Sequence, residues 1–359
     1  MSETGRKRVV VAMSGGVDSS VSAALLKEQG YDVTGISMQL YDPVPKNPEL
    51  PTKTCCSLDD VMDAARVAKK LEIPFEVVDL RDSFRELVID YFTAEYAAGR
   101  TPNPCIRCNE LIKFGLLLQK ARAMGADLLA TGHYARICED ESGVRQLMTG
   151  ADPAKDQSYF LFALSRDRLQ QVIFPVGMLE KSAVRKLAAD FNLPVAQKHE
   201  SQEICFIPDN DYVKFLEAHA LEQKPGDIVT GDGTVVGRHG GVHRYTIGQR
   251  KGLGVAWHVP LHVCAIDTEQ NLIVVGERDE LARPSLTARD AVWGSPPRAM
   301  EFRAACRIRY RHQPAPCRVV IAGDGRFTVY FDDPQRAITP GQAAVLYDGE
   351  RVLGGGWIE

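Results

Sequence analysis

Hydrophobic positions in the first 140 residues recur with two alternating periods. Residues 8–13 (RVVVAM) form a short unbroken apolar run closed by Ser14, Gly15 and Gly16, the pattern of a strand buried on both faces. Residues 18–29 set Val21, Leu25 and Leu26 on one helical face and stop at Gly30, and DVTGISMQLY (32–41) returns to strand-forming types. The alternation continues as helix over 58–71, strand in PFEVVDL, helices over 82–98 and 111–124, and strand in ADLLATGHYA. This succession predicts parallel strands joined by crossover helices, an α/β fold with a doubly wound parallel sheet.

Past Gly150 the pattern changes. Two helices are predicted over 182–191 and 212–220, followed by a Gly-rich, strand-forming stretch over 225–277. From about residue 283 the short runs RVVIAG, RFTVYF and QAAVLY, cut by Gly, Pro and Asp, predict a small C-terminal β-barrel. A chain of 359 residues exceeds one ordinary core, so three units in series are expected: 1–207, a small central domain over 208–280, and the barrel over 281–359.

Composition narrows the setting. Apolar residues make up 45% and charged residues 25%, and no apolar run approaches the roughly eighteen residues of a membrane helix, so a soluble, membrane-free protein is expected. The apolar run after the basic N-terminus ends at Met13 without a small-residue cleavage pattern and reads as a strand rather than a signal peptide. Nine scattered cysteines do not form a secreted disulfide framework and point to a reducing, cytoplasmic setting. Residues 283–359 carry eleven Arg and no Lys against eight acidic residues, within a chain of net charge −4. The C-terminal third is therefore the basic end, suited to a nucleic-acid partner.

SGGVDSS (14–20) falls between the first predicted strand and helix, at the sheet edge where such folds bind ligands. Gly15 and Gly16 remove side chains that would hinder a phosphate, Ser14, Ser19 and Ser20 offer hydroxyls, and Asp18 can cap the helix or hold magnesium. The Walker pattern and its lysine are absent, so this is a phosphate loop of another kind. It resembles the pyrophosphate loop of the ATP pyrophosphatases, which cleave ATP between its α and β phosphates.

TPNPCIRCN (101–109) holds Cys105 and Cys108. A structural zinc needs about four ligands, usually two such pairs, and only one pair is present; Cys55 and Cys56 are adjacent and badly placed to share a metal. Reactive thiols fit better. Pro102 and Pro104 are expected to hold off the helix until after Asn109, leaving a thiol near a helix N-terminus with Arg107 and Lys113 close by, conditions that favour the thiolate. Cys205 in SQEICFIP is the available partner, yet with Ile204 and Phe206 beside it composition alone reads it as a buried apolar cysteine.

Taken in order, AMSGGVDSSVSA, TPNPCIRCN, ATGHYA, KDQSYFL, SQEICFI, TIGQRKGLG, RYRH, TPGQAAVLY and LGGGWIE resemble the tRNA-specific 2-thiouridylase family, within the ATP pyrophosphatase superfamily, over essentially the whole chain. The resemblance implies an adenine nucleotide α-hydrolase-like domain, ATP and Mg2+ as cofactors, and a sulfurtransferase acting on the wobble uridine of tRNA(Lys), tRNA(Glu) and tRNA(Gln). Sulfur would come from a cysteine desulfurase or a sulfur-carrier protein, and a monomer is expected. Carried over by motif, Ala12, Met13, Ser14, Gly15, Gly16, Val17, Asp18 and Ser19 contact ATP, with Met38 and Gly132 at the adenosine pocket. By composition alone Met38 would be core filling. Cys108 matches the nucleophile and Cys205 the persulfide-bearing cysteine, and the family forms a disulfide between them as sulfur leaves.

One position departs from the family pattern. Well-known members carry an aspartate where this chain has Cys105, and a thiol does not simply replace a carboxylate in proton transfer. Cys105 is thus a candidate acid/base or, in an alternative reading, a ligand with Cys108 and Cys205 of a [4Fe-4S] cluster with one open iron. On the tRNA side the resemblance implies contacts from His133, Lys155, Asp156, Gln157, Arg309, Tyr310 and Gln342. Residues 303–312 are expected to form a strand presenting Arg307, Arg309 and Arg311 as a cationic ridge, and 248–254 is either a second tRNA contact or a hairpin turn. Two rivals remain: a synthetase that adenylates a small substrate and admits ammonia, and a non-catalytic tRNA-binding protein with a zinc-bound CxxC.

Overall fold

The structure, a computed structural model, describes residues 5–41, 58–199, 204–207, 211–219 and 224–359. Its first unit is built on a five-stranded parallel sheet. Along the chain come β1 (Arg8–Ala12), β2 (Asp32–Gln39), β3 (Phe75–Asp79), β4 (Leu128–Ala130), a hairpin of β5 (Ala135–Glu139) and β6 (Arg145–Thr149), and β7 (Val172–Ile173). The sheet order is β3-β2-β1-β4-β7. Period-two alternation divides β1 between two cores: Val10 and Ala12 join the cluster on one face, while Val9, Val11 and then Met13 join the cluster on the other. Both faces are covered, which is why the strand reads as an unbroken apolar run. Strands are added to one side of β1 and then, from β4, to the other, so the switch point and its open crevice lie beyond the C-terminal ends of β1 and β4.

Five helices surround the sheet: Val17–Glu28, Leu58–Lys70, a helix over 81–97, another over 104–123, and Lys181–Asp190. The middles of the 81–97 and 104–123 helices are wound with wide, i+5 turns, and these two stretches pack on each other. The second of them begins earlier than expected. Pro104 occupies its first turn and the Asn103 side chain accepts from the Ile106 N–H at 3.3 Å. Proline at that position has no N–H that would need a partner and already holds the helical φ, so it starts the helix instead of delaying it. Cys105 and Cys108 therefore both ride on helical turns.

The strand expected in ADLLATGHYA is likewise shorter, ending at Ala130. Ala135 opens β5, which leaves the parallel sheet with β6 and extends the sheet of the C-terminal unit through β17. That unit holds β12 (Ala282–Trp293), β13 (Glu301–Arg307), β14 (Ala315–Ile321), β15 (Phe327–Arg336), β16 (Ala343–Asp348) and β17 (Arg351–Ile358). The order β12-β15-β14-β13-β16-β17, with β12 paired back to β17, closes a six-stranded barrel around Cys306, Cys317, Val319, Phe327 and Val329. Between the two units, β8 (Gly226–Thr230), β9 (Val235–His239), β10 (His262–Asp267) and β11 (Leu272–Gly276) make a small sheet in the order β10-β11-β8-β9, with its own core of Ile228, Val263, Ile273 and Val275.

Candidate active site

The turn after β1 is shaped by close approach. Gly15 has φ +71°, and a Cβ there would lie 2.2 Å from the Asp60 carbonyl oxygen, so only glycine fits. Gly16 is the N-cap of the first helix, and no side chain caps that helix, which leaves its first-turn N–H groups facing the crevice. The hydroxyls brace the turn: Ser19 Oγ accepts from the Ser14 N–H at 3.2 Å, and Ser20 Oγ donates to the Gly16 carbonyl at 2.8 Å. Ala12, Met13 and Val17 point into the core, so any ligand contact they make comes from backbone. Met38 is also buried, in the cluster shared by β1 and β2. Gly132, just past β4, sits directly on the first helix: a Cβ there would be 2.6 Å from the Ser19 nitrogen.

Asp18 does not cap the helix. Its Oδ1 accepts from Lys181 Nζ at 2.6 Å and from the Tyr134 hydroxyl at 2.7 Å. A second lysine, Lys198, donates to the Gly15 carbonyl at 3.0 Å and to Asp60 and Asp63 at 2.6 Å each. Sequence reasoning missed both cations because they lie more than 160 positions from the loop. One signal was available: Lys181 opens a helix, where the macrodipole disfavours a positive charge.

Cys108 is buried in the same hydrophobic cluster as Met38, Phe84, Phe92, Ile106 and Phe206, and the half-buried Cys205 packs against that cluster. The Tyr41 hydroxyl, just past β2, donates to the Cys205 carbonyl at 2.6 Å, and the Phe206 ring meets Phe84 and Phe92 edge-on. Cys205 is thus tied to the end of β2, and Cys108, far from it in sequence, lies in the same core. Burial pushes the Cys108 thiol up, with the Lys113 charge pulling the other way, so burial overrides the thiolate-favouring setting expected from sequence. Cys105 is exposed. Among the described residues no three His, Cys, Asp or Glu side chains converge as a metal-ligand set, so Cys105, Cys108 and Cys205 do not present the cradle a [4Fe-4S] cluster needs. Cys55 and Cys56 lie outside the described residues.

The residues expected on the tRNA side fall into two groups. His133 is buried, its Nδ1 2.6 Å from Thr131 Oγ1, and desolvation holds its pKa well below the usual histidine value. Gln157 accepts from the Tyr134 N–H at 2.9 Å, and Gln342 donates to the Thr101 carbonyl at 2.8 Å. Asp156 is 5% exposed and accepts from the Gly150 and Ser158 N–H groups and from Arg307 at 2.9 Å, so its carboxylate is committed internally. Lys155 and Tyr310 are half-buried, Tyr310 against Phe160 with ring centroids 4.5 Å apart, and Arg309 is exposed. The expected ridge does not form. Strand β13 ends at Arg307, whose guanidinium turns inward to Asp156, and Arg309 and Arg311 sit in the turn that follows. Residues 248–254 form turns, with the Gly248 N–H bonded to the Val263 carbonyl at 2.8 Å.

Comparison with known proteins adds names to this geometry. Family models match three consecutive stretches: "tRNA methyl transferase HUP domain" over 7–209, "tRNA methyl transferase PRC-barrel domain" over 213–277 and "Aminomethyltransferase beta-barrel domain" over 283–358. A protein of Geobacter metallireducens named tRNA-specific 2-thiouridylase MnmA is 54% identical over 364 residues, covering 100% of this chain and 98% of the relative. One of Geotalea uraniireducens with the same name is 56% identical over 357 residues, covering 99% and 95%. Identity at this level over full length, on a sheet whose crevice carries a phosphate loop and whose core docks Cys108 and Cys205, leaves one assignment: the chain belongs to the tRNA-specific 2-thiouridylase family.

Proposed function

We propose that this protein is an ATP-dependent sulfurtransferase that converts the wobble uridine of tRNA(Lys), tRNA(Glu) and tRNA(Gln) to 2-thiouridine. The observation that carries the reading is the docking of Cys108 and Cys205 on the core that also holds Met38, beside the sheet edge that bears Ser14–Ser20. A phosphate loop alone suits many adenylating enzymes. Two thiols on the core that underlies its edge suit one that moves sulfur.

In this reading the uracil C2 oxygen attacks the α-phosphorus of ATP, the bond to pyrophosphate breaks with its electrons going to pyrophosphate, and the N3 proton passes to solvent. The first-helix N–H groups and Gly15–Gly16 hold the departing pyrophosphate. Magnesium bound with the nucleotide would neutralise phosphate charge, and Asp18 is the residue that would hold it. The terminal sulfur of a Cys205 persulfide then attacks C2 and AMP departs. Cys108 then attacks the Cys205 sulfur and its thiol proton ends on N3 of the base; the S–S bond breaks toward the base, leaving 2-thiouridine and a Cys108–Cys205 disulfide. In a variant of the same scheme Cys108 acts first and releases sulfide, which attacks C2. A cysteine desulfurase or carrier protein supplies the persulfide, and a thiol reductant resets the disulfide.

Residues 1–207 supply this chemistry, the barrel over 281–359 holds the tRNA, and 208–280 is the central domain between them. His133, Lys155, Gln157, Arg309, Tyr310 and Gln342 line its approach, and Asp156 acts through Arg307. The methyl transfer named in two of the family descriptions would leave both thiols and the phosphate loop without a task. The test is tRNA-dependent AMP formation with 2-thiouridine in the product tRNA. ATP turnover indifferent to tRNA would point instead to a small-molecule synthetase.

A further inference from the structure

The adenylation step places growing negative charge on the pyrophosphate, yet the loop that would hold it contains no cation. Backbone N–H groups and serine hydroxyls carry only partial charges. Two lysines reach the loop from elsewhere, and their surroundings differ. Lys198 has its three N–H donors directed to the Gly15 carbonyl, Asp60 and Asp63. That pattern ties the loop to the Leu58–Lys70 helix and makes Lys198 a clamp.

Lys181 is placed against local preference. It is 8% exposed and stands at the first position of the Lys181–Asp190 helix, where the dipole opposes a positive charge and burial adds a desolvation cost. It is held there by Asp152, which accepts from its backbone N–H at 3.0 Å, and its ammonium lies 5.5 Å from the centre of the Tyr134 ring. The charge is compensated by Asp18, the second residue of the phosphate-loop helix. Asp18 also accepts from the Tyr134 hydroxyl, so it keeps a partner when the ammonium leaves.

We propose that Lys181 is a further catalytic residue: when ATP enters, its ammonium passes from Asp18 to the oxygens of the leaving pyrophosphate, in the place of the lysine that Walker-type loops carry within the loop itself. The inference rests on the adenylating function proposed above. The Lys181 ammonium is paired with Asp18 in the waiting state and with pyrophosphate in the reacting one, so the buried lysine always faces an anion. Lys181 stabilises charge that develops on Pα–O cleavage, and bond making is unchanged from the scheme given above.

The experiment compares Lys181→Met and Lys181→Arg with the wild type in the full-length protein. Two readouts are used: binding of ATP and of AMP by equilibrium titration, and the rate of tRNA-dependent AMP formation at saturating ATP. In Lys181→Met the rate is expected to fall by about 10²-fold, and ATP binding to weaken about tenfold. AMP, which lacks the pyrophosphate, should bind as before, and Lys181→Arg should recover most of the ATP affinity. A wild-type rate in Lys181→Met overturns the proposal. So does an equal loss of ATP and AMP binding, or failure of arginine to rescue, because either marks a purely structural ion pair. If the wild type itself forms no AMP in response to tRNA, the adenylating function falls, and the ATP-against-AMP comparison still decides whether Lys181 meets pyrophosphate.

Discussion

Gly132→Ala is the sharpest test of the crevice. A single methyl at this position would lie 2.6 Å from the Ser19 nitrogen, 2.8 Å from the Asp18 carbonyl carbon and 3.0 Å from Asp18 Cβ. Ordinary contact between such atoms is about 3.5 Å, so the first helix and the 131–134 turn must separate by about 0.9 Å. Two of the three obstructing atoms are main chain and cannot rotate away. Overpacking of this kind costs about 1–3 kcal/mol of stability, and displacement of a positioning group by about 1 Å costs about 10²-fold in rate. The variant should fold, melt a few degrees lower, and form AMP about a hundredfold more slowly at saturating tRNA, with a raised KM for ATP. Thermal unfolding and an ATP titration of AMP release measure the two effects separately. A Gly132→Ala protein with wild-type KM and rate would show that the β4 turn does not border the nucleotide site.

Further outcomes follow from the same geometry. Cys108→Ala and Cys205→Ala should each abolish 2-thiouridine in nucleoside digests of the product tRNA, whereas Cys105→Ala, which alters an exposed side chain, should retain turnover; loss of product in Cys105→Ala would place it in the chemistry. His133 is held neutral by burial, its pKa depressed in the folded state. The stability it contributes is present above its unfolded pKa of about 6.5 and drains away by about 1.4 kcal/mol per pH unit below it. Urea unfolding at pH 7.5 and 5.5 should therefore show a steeper acid loss in wild type than in His133→Gln. Arg307→Met leaves the buried Asp156 carboxylate without its cation and should cost about 3 kcal/mol. Arg311→Met, at an exposed turn, should leave unfolding within about 0.5 kcal/mol of wild type and lower only tRNA affinity, with a shallower salt dependence.

The parallel sheet was legible because its strands announce themselves by local pattern: β1 is apolar on both faces, and its turn carries glycines where the backbone must pass Asp60. Three features were not legible, each for a nonlocal reason. Pro104 reads as a helix breaker until its position in the first turn is known. Arg307, Arg309 and Arg311 alternate as if on one strand face, but the partner that ends β13, Asp156, lies 151 residues away and draws Arg307 inward. The hairpin of β5 and β6 has ordinary strand composition, and nothing local indicates that it extends the barrel sheet rather than the parallel one. Cys205 shows the limit from the other side: its apolar neighbours are real core residues, since Phe206 packs on Phe84 and Phe92, so the structural signal that hides the cysteine is also what docks it.

The barrel packs against the segment that leads into the cysteine pair. The Thr101 N–H donates to the Pro340 carbonyl at 2.9 Å, Gln342 donates to the Thr101 carbonyl, and the Tyr159 hydroxyl donates to the Ala343 carbonyl at 3.1 Å. Arg107, one residue before Cys108, lies over the rings of Tyr91 at 4.5 Å and Trp357 at 5.0 Å. The start of the 104–123 helix is therefore held from the barrel side by the turn before β16 and by Trp357 of β17, and from the sheet side by the Phe84–Phe92 core. Gln342 and Trp357 thus each touch the segment that carries Cys108, one by a hydrogen bond and the other by a cation–ring contact. Gln342 Nε2 donates to the Thr101 carbonyl at 2.8 Å and to the Pro102 carbonyl at 3.4 Å. A contact that drew Nε2 away would release the Thr101–Pro102 backbone, whereas one made by Oε1 would leave it in place.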